Sequence, residues 1–154
     1  VPPDEEETMA TLDDVRALID RGGHRCVVST VRADGSIQSS VVSAGLAEHP
    51  LTGGPVLAFT TPATSVKLRF LRARPRATLV FQPDYHWASV EGEVDLVGYD
   101  DPFEGVDTDG VRRLLRRVFT AAGGTHDDWA DYDRAMVEQR RTAVLLRPTR
   151  VFAM

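Results

Sequence analysis

The sequence predicts an α+β fold that is mainly β: a small antiparallel barrel with covering helices. Three observations predict it. Apolar, β-branched stretches of strand length recur through the chain, a turn signal at Asp34-Gly35 joins two of them directly, and the amphipathic helical segments fall at the start and late. No strand-helix-strand unit repeats, so a doubly wound nucleotide fold is excluded. With 154 residues, of which 42% are hydrophobic and 27% charged, the chain is long enough to bury the core of one domain. That domain is expected over residues 11–154, after an acidic stretch, VPPDEEETMA (1–10), read as a disordered leader.

The elements follow in order. Thr11-Leu12-Asp13-Asp14 has the form of a capping box, and Leu12, Val15, Leu18 and Ile19 then share one helical face up to Gly22-Gly23. His24 to Arg32 and Ile37 to Leu46 are the arms of a β-hairpin about Asp34-Gly35. After the polar loop Glu48 to Gly54, Pro55 to Thr61 is a third strand. A short helix carrying Ser65 and Lys67 leads to a fourth strand, Ala77 to Gln82. Trp87 to Val97 alternates with period two, and Gly92 inside it marks a bulge or bend. Asp107 to Ala122 and Asp127 to Arg141 place apolar residues at helical spacing, as covering helices do. Thr142 to Phe152 closes the chain as a strand interrupted by Pro148.

The chemistry concentrates between Phe59 and Phe81. Thr60 and Thr61 end a strand, Ser65 and Lys67 begin a helix, and Lys67, Arg69, Arg72, Arg74 and Arg76 follow without an intervening acid. Hydroxyls, free helix-start amides and cations together suit a phosphate. The alternative is a solvated arginine face. The whole chain carries a net charge of -5, so the globally basic surface of a nucleic-acid binder is absent and the positive charge is focused on a small anion. His24, His49, His86 and His126 lack ligand spacing, and no nucleophile elbow or Walker loop is present, so neither metal chemistry nor hydrolysis is expected. Cys26 stands alone and no apolar run reaches membrane-span length, which points to a cytoplasmic protein without membrane or nucleic-acid partners. A phosphate cradle with no evident protein nucleophile or base is what a cofactor-dependent protein needs.

Thr60-Thr61, then Ser65-Val66-Lys67, then Leu71-Arg72-Ala73-Arg74-Pro75-Arg76-Ala77 resembles the signature of the pyridoxamine 5′-phosphate oxidase-like split-barrel flavoproteins. In particular it is similar to their actinobacterial branch, which uses the deazaflavin coenzyme F420. The resemblance extends from the first helix through Asp34-Gly35 and the Trp87 to Gly92 strand to Leu146-Arg147-Pro148-Thr149-Arg150-Val151. It implies a split barrel in which Thr60, Thr61, Ser65 and Lys67 hold the cofactor phosphate. Arg69 then lies near the cofactor tail, and Ser40 and Val42 line the ring system. It also implies a homodimer with the cofactor at the interface and a contribution from Trp87 of the partner subunit.

The sequence departs from relatives at Phe70, where many carry Asn, and at Ser43 and Gly45, where bulky residues are common. The end Val151-Phe152-Ala153-Met154 lacks the Trp and Arg-x-His of true pyridoxamine phosphate oxidases, so vitamin B6 oxidation is not expected. The cations beyond Lys67 favour the longer, multiply charged F420 over FMN. The expected activity is hydride transfer from the reduced deazaflavin to an electron-poor double bond of an enone, quinone or linear tetrapyrrole. The proton comes from solvent, Tyr85 or His86. An FMN-dependent oxidase or flavin reductase and a non-catalytic cofactor carrier are the alternatives.

Overall fold

A computed structural model describes residues 8–154, and its strands lie where the apolar alternation places them. In chain order the elements are β1 (Thr8–Met9), α1 (Leu12–Gly22), β2 (Arg25–Val31), β3 (Ile37–Ser43), β4 (Gly45–Glu48) and β5 (Pro55–Thr61). There follow α2 (Val66–Ala73), β6 (Arg76–Phe81), β7 (Ala88–Gly98), α3 (Thr108–Ala121), α4 (Trp129–Glu138) and β8 (Thr142–Ala153). Neighbours in the sheet order β3-β2-β6-β7-β8-β5-β4 are antiparallel, and β1 adds to β8. Residues 1–7 of the expected leader lie outside the described residues. Thr8 and Met9 depart from that expectation, pairing with Ala153 and Phe152 of β8.

The two ends of that order are consecutive in the chain. β3 pairs with β2 up to Ser43, Ala44 donates its N–H to the His24 carbonyl, and from Gly45 the chain pairs with β5 instead. The sheet closes through a segment that changes partner, which makes it a split barrel. The single strand expected over Ile37 to Leu46 is therefore two. Gly45 permits the change, since a Cβ there would collide with the Ala121 carbonyl at the end of α3.

Two cores result. Leu57, Phe59, Val144 and Leu146 face the barrel interior, while Val56, Ala58, Ala143 and Leu145 face α3 and α4. Burial on both faces is why β5 and β8 read as continuous apolar runs. Val15, Leu18 and Ile19 of α1 and Leu68 and Leu71 of α2 pack into the interior cluster, and Leu114, Leu115, Val118, Tyr132 and Met136 build the outer one. Each such side chain, fully buried, contributes about 1.5–3 kcal/mol before entropy is counted.

The ends are set by local chemistry. Thr11 N–H donates to Asp14 Oδ2 at 2.9 Å, and Asp107 and Asp128 cap α3 and α4 by accepting from Gly110 and Asp131 amides. At the hairpin, Gly35 takes φ 86° and Asp34 Oδ1 accepts from the Ser36 amide at 3.0 Å. The irregularities at Gly92 and Pro148 are one feature: Glu91 pairs with Arg150 but Gly92 with Pro148, leaving Thr149 as the extra residue of a bulge. Pro148 lacks an N–H to lose, and a Cβ on Gly92 would strike the Arg147 carbonyl. No helix is long and apolar enough to cross a membrane, and no His, Cys, Asp and Glu cluster able to hold a metal occurs among the described residues.

Candidate functional site

The change of partner at Ala44 leaves a gap. Beyond the Gly45–Ala58 pair, β5 continues to Thr61 with β8 as its neighbour, and β3 runs back along β2, so two strand edges face each other unjoined. Strand edges offer backbone donors and acceptors to whatever lies between them. The gap opens as a cleft of about 480 Å³, lined by Val42, Ser43, Thr60, Thr61, Phe119 and Arg141 among others. That volume is within the range of small-molecule sites.

Strand alternation decides which way the side chains point. Thr60 lies on the α3 and α4 side with Val56 and Ala58, whereas Thr61 is buried on the interior side with Leu57 and Phe59. Ser40 and Val42 are opposite Val28 and Cys26 on the interior side of β3. The Ser40 Oγ is buried and has no hydrogen-bond partner among the described residues. A buried hydroxyl left unpaired costs about 1–3 kcal/mol, so it is a group in need of a partner.

Beyond the cleft, α2 begins at its N-cap Ser65, whose Oγ accepts from Lys67 Nζ at 3.1 Å. Burial pushes the Lys67 ammonium below its ordinary pKa. Ser65 and Arg69 line a second groove, of about 570 Å³, along the flank of α2. Arg72 is not available to a ligand in the same way: it makes a bidentate pair with Asp101 at 2.7 and 2.8 Å, and Thr142 Oγ1 donates to the same carboxylate at 2.6 Å. The five-cation run is thus divided between a structural clip and an open flank.

One charged residue of the cleft is absent from the sequence reading. Arg141, just before β8, is half-buried and donates from Nη1 to Thr60 O at 3.4 Å and to Thr60 Oγ1 at 3.3 Å, and from Nε to Gln139 Oε1 at 2.7 Å. It has no ion pair among the described residues. Burial lowers its pKa, with Tyr132 opposing. In sequence Arg141 ends a helical stretch 81 positions from Thr60, and no local pattern connects the two.

The family model described as pyridoxamine 5′-phosphate oxidase matches residues 12–154. The chain belongs to that family. Solved structures with similar folds include a conserved hypothetical protein from Mycobacterium tuberculosis, at 19% identity and TM-score 0.63, covering 93% of this chain and 84% of that one. A pyridoxamine 5′-phosphate oxidase-related FMN-binding protein from Nostoc punctiforme matches at 15% identity and TM-score 0.61, covering 95% and 85%. An F420 reductase matches at 22% identity and TM-score 0.57, covering 88% and 94%.

In this member of the pyridoxamine 5′-phosphate oxidase family, Tyr85 and His86 are not among the residues lining the cleft. Tyr85 is 91% exposed, His86 Nδ1 is 2.9 Å from Asp84 Oδ1, and Trp87 N–H donates to the Met154 carbonyl at 3.3 Å. All three precede Ala88; the register aligns Thr61, through Thr142, with Gly98 at the far end of β7, and aligns Ser40 of the other edge, through Val28 and Leu79, with Val90 at the near end. His49 proves structural: it is buried, with Nε2 2.9 Å from Asp95 Oδ2 and Nδ1 accepting from the Leu51 amide at 3.2 Å.

Proposed function

We propose that the split binds the deazaflavin coenzyme F420 and that the protein is a reductase of electron-poor double bonds. The observation that carries the reading is the pairing of two open strand edges with a cation-bearing helix start, Ser65 and Lys67, at the end of one of them. When bound, the coenzyme supplies hydride chemistry toward acceptors such as enones, quinones or linear tetrapyrroles.

The chain's own part is to bind, orient and exclude water. Lys67 and the Ser65 hydroxyl would hold the phosphate, with the free amides at the start of α2 adding donors. Ser40 gains the partner it lacks, and Thr61 and Val42 bound the ring. Phe119 shields the cleft from the α3 side. No general acid among the described residues lines the split, so the proton comes from solvent and proximity supplies much of the acceleration. The flank of α2 with Arg69 suits the extended, multiply charged tail of F420, and the fold shared with an F420 reductase supports that choice.

The reading includes a homodimer in the cytoplasm. Val27 and Val41 form a cross-strand pair on the outer face of β2 and β3, with Ile37 further along that face beyond the Ser29 and Ser39 pair, at 39%, 58% and 58% exposure. A second copy would cover that face and could bring Trp87 of the partner subunit to the split. The FMN-dependent oxidase or flavin reductase is the second reading, favoured by the FMN-binding relative and by the sufficiency of Ser65 and Lys67 for one phosphate.

The test is a fluorescence titration with oxidised F420, with FMN alongside and mass by light scattering. Micromolar or tighter binding of F420 alone, followed by acceptor reduction with the reduced coenzyme, supports the reductase. Preference for FMN moves the protein to the second reading, and binding without turnover of any acceptor makes it a carrier.

A further inference from the structure

We propose that the split also carries an acceptor subsite in which Arg141 pairs with a carboxylate on a flat, apolar body. Among the described residues Arg141 is the single charged group lining the cleft, and the rest of the lining includes Val42, Val118, Phe119 and Ala122. Its Nε is taken by Gln139 and one side of Nη1 by Thr60, while Nη2 has no partner among the described residues. The free edge of a guanidinium matches a carboxylate, and the apolar walls match a conjugated or aromatic framework.

The surrounding chain holds this arginine in place. Arg140, the non-glycine residue of positive φ among those described, takes φ 49° and donates from Nε and Nη2 to both carboxylate oxygens of Asp100. The Ala63 amide donates to the Gln139 carbonyl at 3.1 Å. A strained residue tied down by a pair and followed by a half-buried, unpaired cation is a held position, not a solvated one. The C-terminal end of α3, with Ala122 and Gly123, also borders the cleft, and the negative end of a helix dipole repels anions. Discrimination for a carboxylate therefore falls on Arg141.

The coenzyme tail does not claim this group. Thr60 and Arg141 lie on the α3 and α4 side of β5, whereas α2, with Ser65 and Lys67, packs on the interior cluster. The inference rests on the coenzyme reading in that one respect, that the tail follows α2.

The test titrates the full-length protein calorimetrically with 2-naphthoate and with its neutral counterpart 2-naphthamide, free of F420 and loaded with it. The wild type should prefer the naphthoate. Arg141→Gln, which removes the charge and keeps a polar amide, should weaken naphthoate at least tenfold and leave naphthamide within about twofold, while Arg141→Lys retains part of the preference. Thermal melts check that both variants fold. Equal naphthoate affinity in Arg141→Gln, or a wild type that does not distinguish the two probes, overturns the proposal. Loss of F420 affinity in Arg141→Gln also overturns it, by assigning Arg141 to the coenzyme. A wild type that distinguishes the probes through Arg141 yet binds no F420 supports the subsite and sinks the coenzyme reading alone.

Discussion

Two helices carry runs of cations, and the structure treats them differently. On α3, Arg112 pairs with Asp109 at 2.7 Å, Arg113 with Asp109 at 3.4 Å, and Arg116 reaches Asp133 of α4 at 2.8 Å while lying 5.4 Å over the Trp129 ring. On α2 the first turn has no acid, Lys67 meets only the Ser65 hydroxyl, and Arg69 has no ion pair among the described residues. Most of the charge of α3 is paired, within the helix through Asp109 and across to α4 through Asp133. That of α2, Arg72 apart, has no acid partner among the described residues, at a helix start that already favours anions. A run of arginines is therefore informative only once its partners are known.

The largest break in this comparison should come from Lys67→Ala. Charge-assisted hydrogen bonds contribute about 1.5–3 kcal/mol, so coenzyme affinity should fall roughly ten- to a hundredfold with the melting temperature nearly unchanged. Fluorescence titration and thermal melts check both halves, and unchanged affinity would remove Lys67 from the site. Cys26 gives an independent fold readout: burial raises its thiol to about 12, so it should stay silent to thiol reagents near pH 8 until the variant is denatured.

Arg116→Ala should do the converse. It removes the Asp133 pair and the Trp129 contact, lowering the melting temperature by a few degrees without moving coenzyme affinity. A shift in affinity instead would erase the distinction between the two helices.

The clip from α2 to the β7–α3 connection makes a pH prediction. The Arg72 hydrogen bond holds the Asp101 carboxyl below its ordinary value, against the opposing effect of burial. A depressed carboxylate stabilises the fold above its unfolded pKa, and that contribution disappears as the pH falls through the folded value. Asp101→Asn should thus melt lower than wild type at pH 7, with the gap closing below about pH 4. A gap constant with pH would mean that Asp101 contributes through shape and not through charge.

The smallest effect belongs to Arg69→Ala. An exposed pair adds about 0.2–1 kcal/mol, so F420 affinity should fall no more than about fivefold, and FMN affinity should hold. Equal loss for both ligands would place Arg69 at the shared phosphate instead of the tail.

The sequence by itself determined the local structure. Alternation and turn chemistry located the strands of the hairpin, β5 and β7, capping residues began the helices, and Gly92 and Pro148 announced the bulge; each signal acts over a few residues. The placing of Ser65 and Lys67 at one helix start was legible for the same reason, because two positions separate them. What only the tertiary structure decided depends on residues far apart in the chain. The change of partner at Ala44 opens the split, Asp101 withdraws Arg72 from the cation run, and Arg141 reaches Thr60. Closure of the barrel brings those positions together or holds them apart, and no periodicity of 2 or 3.6 residues encodes it.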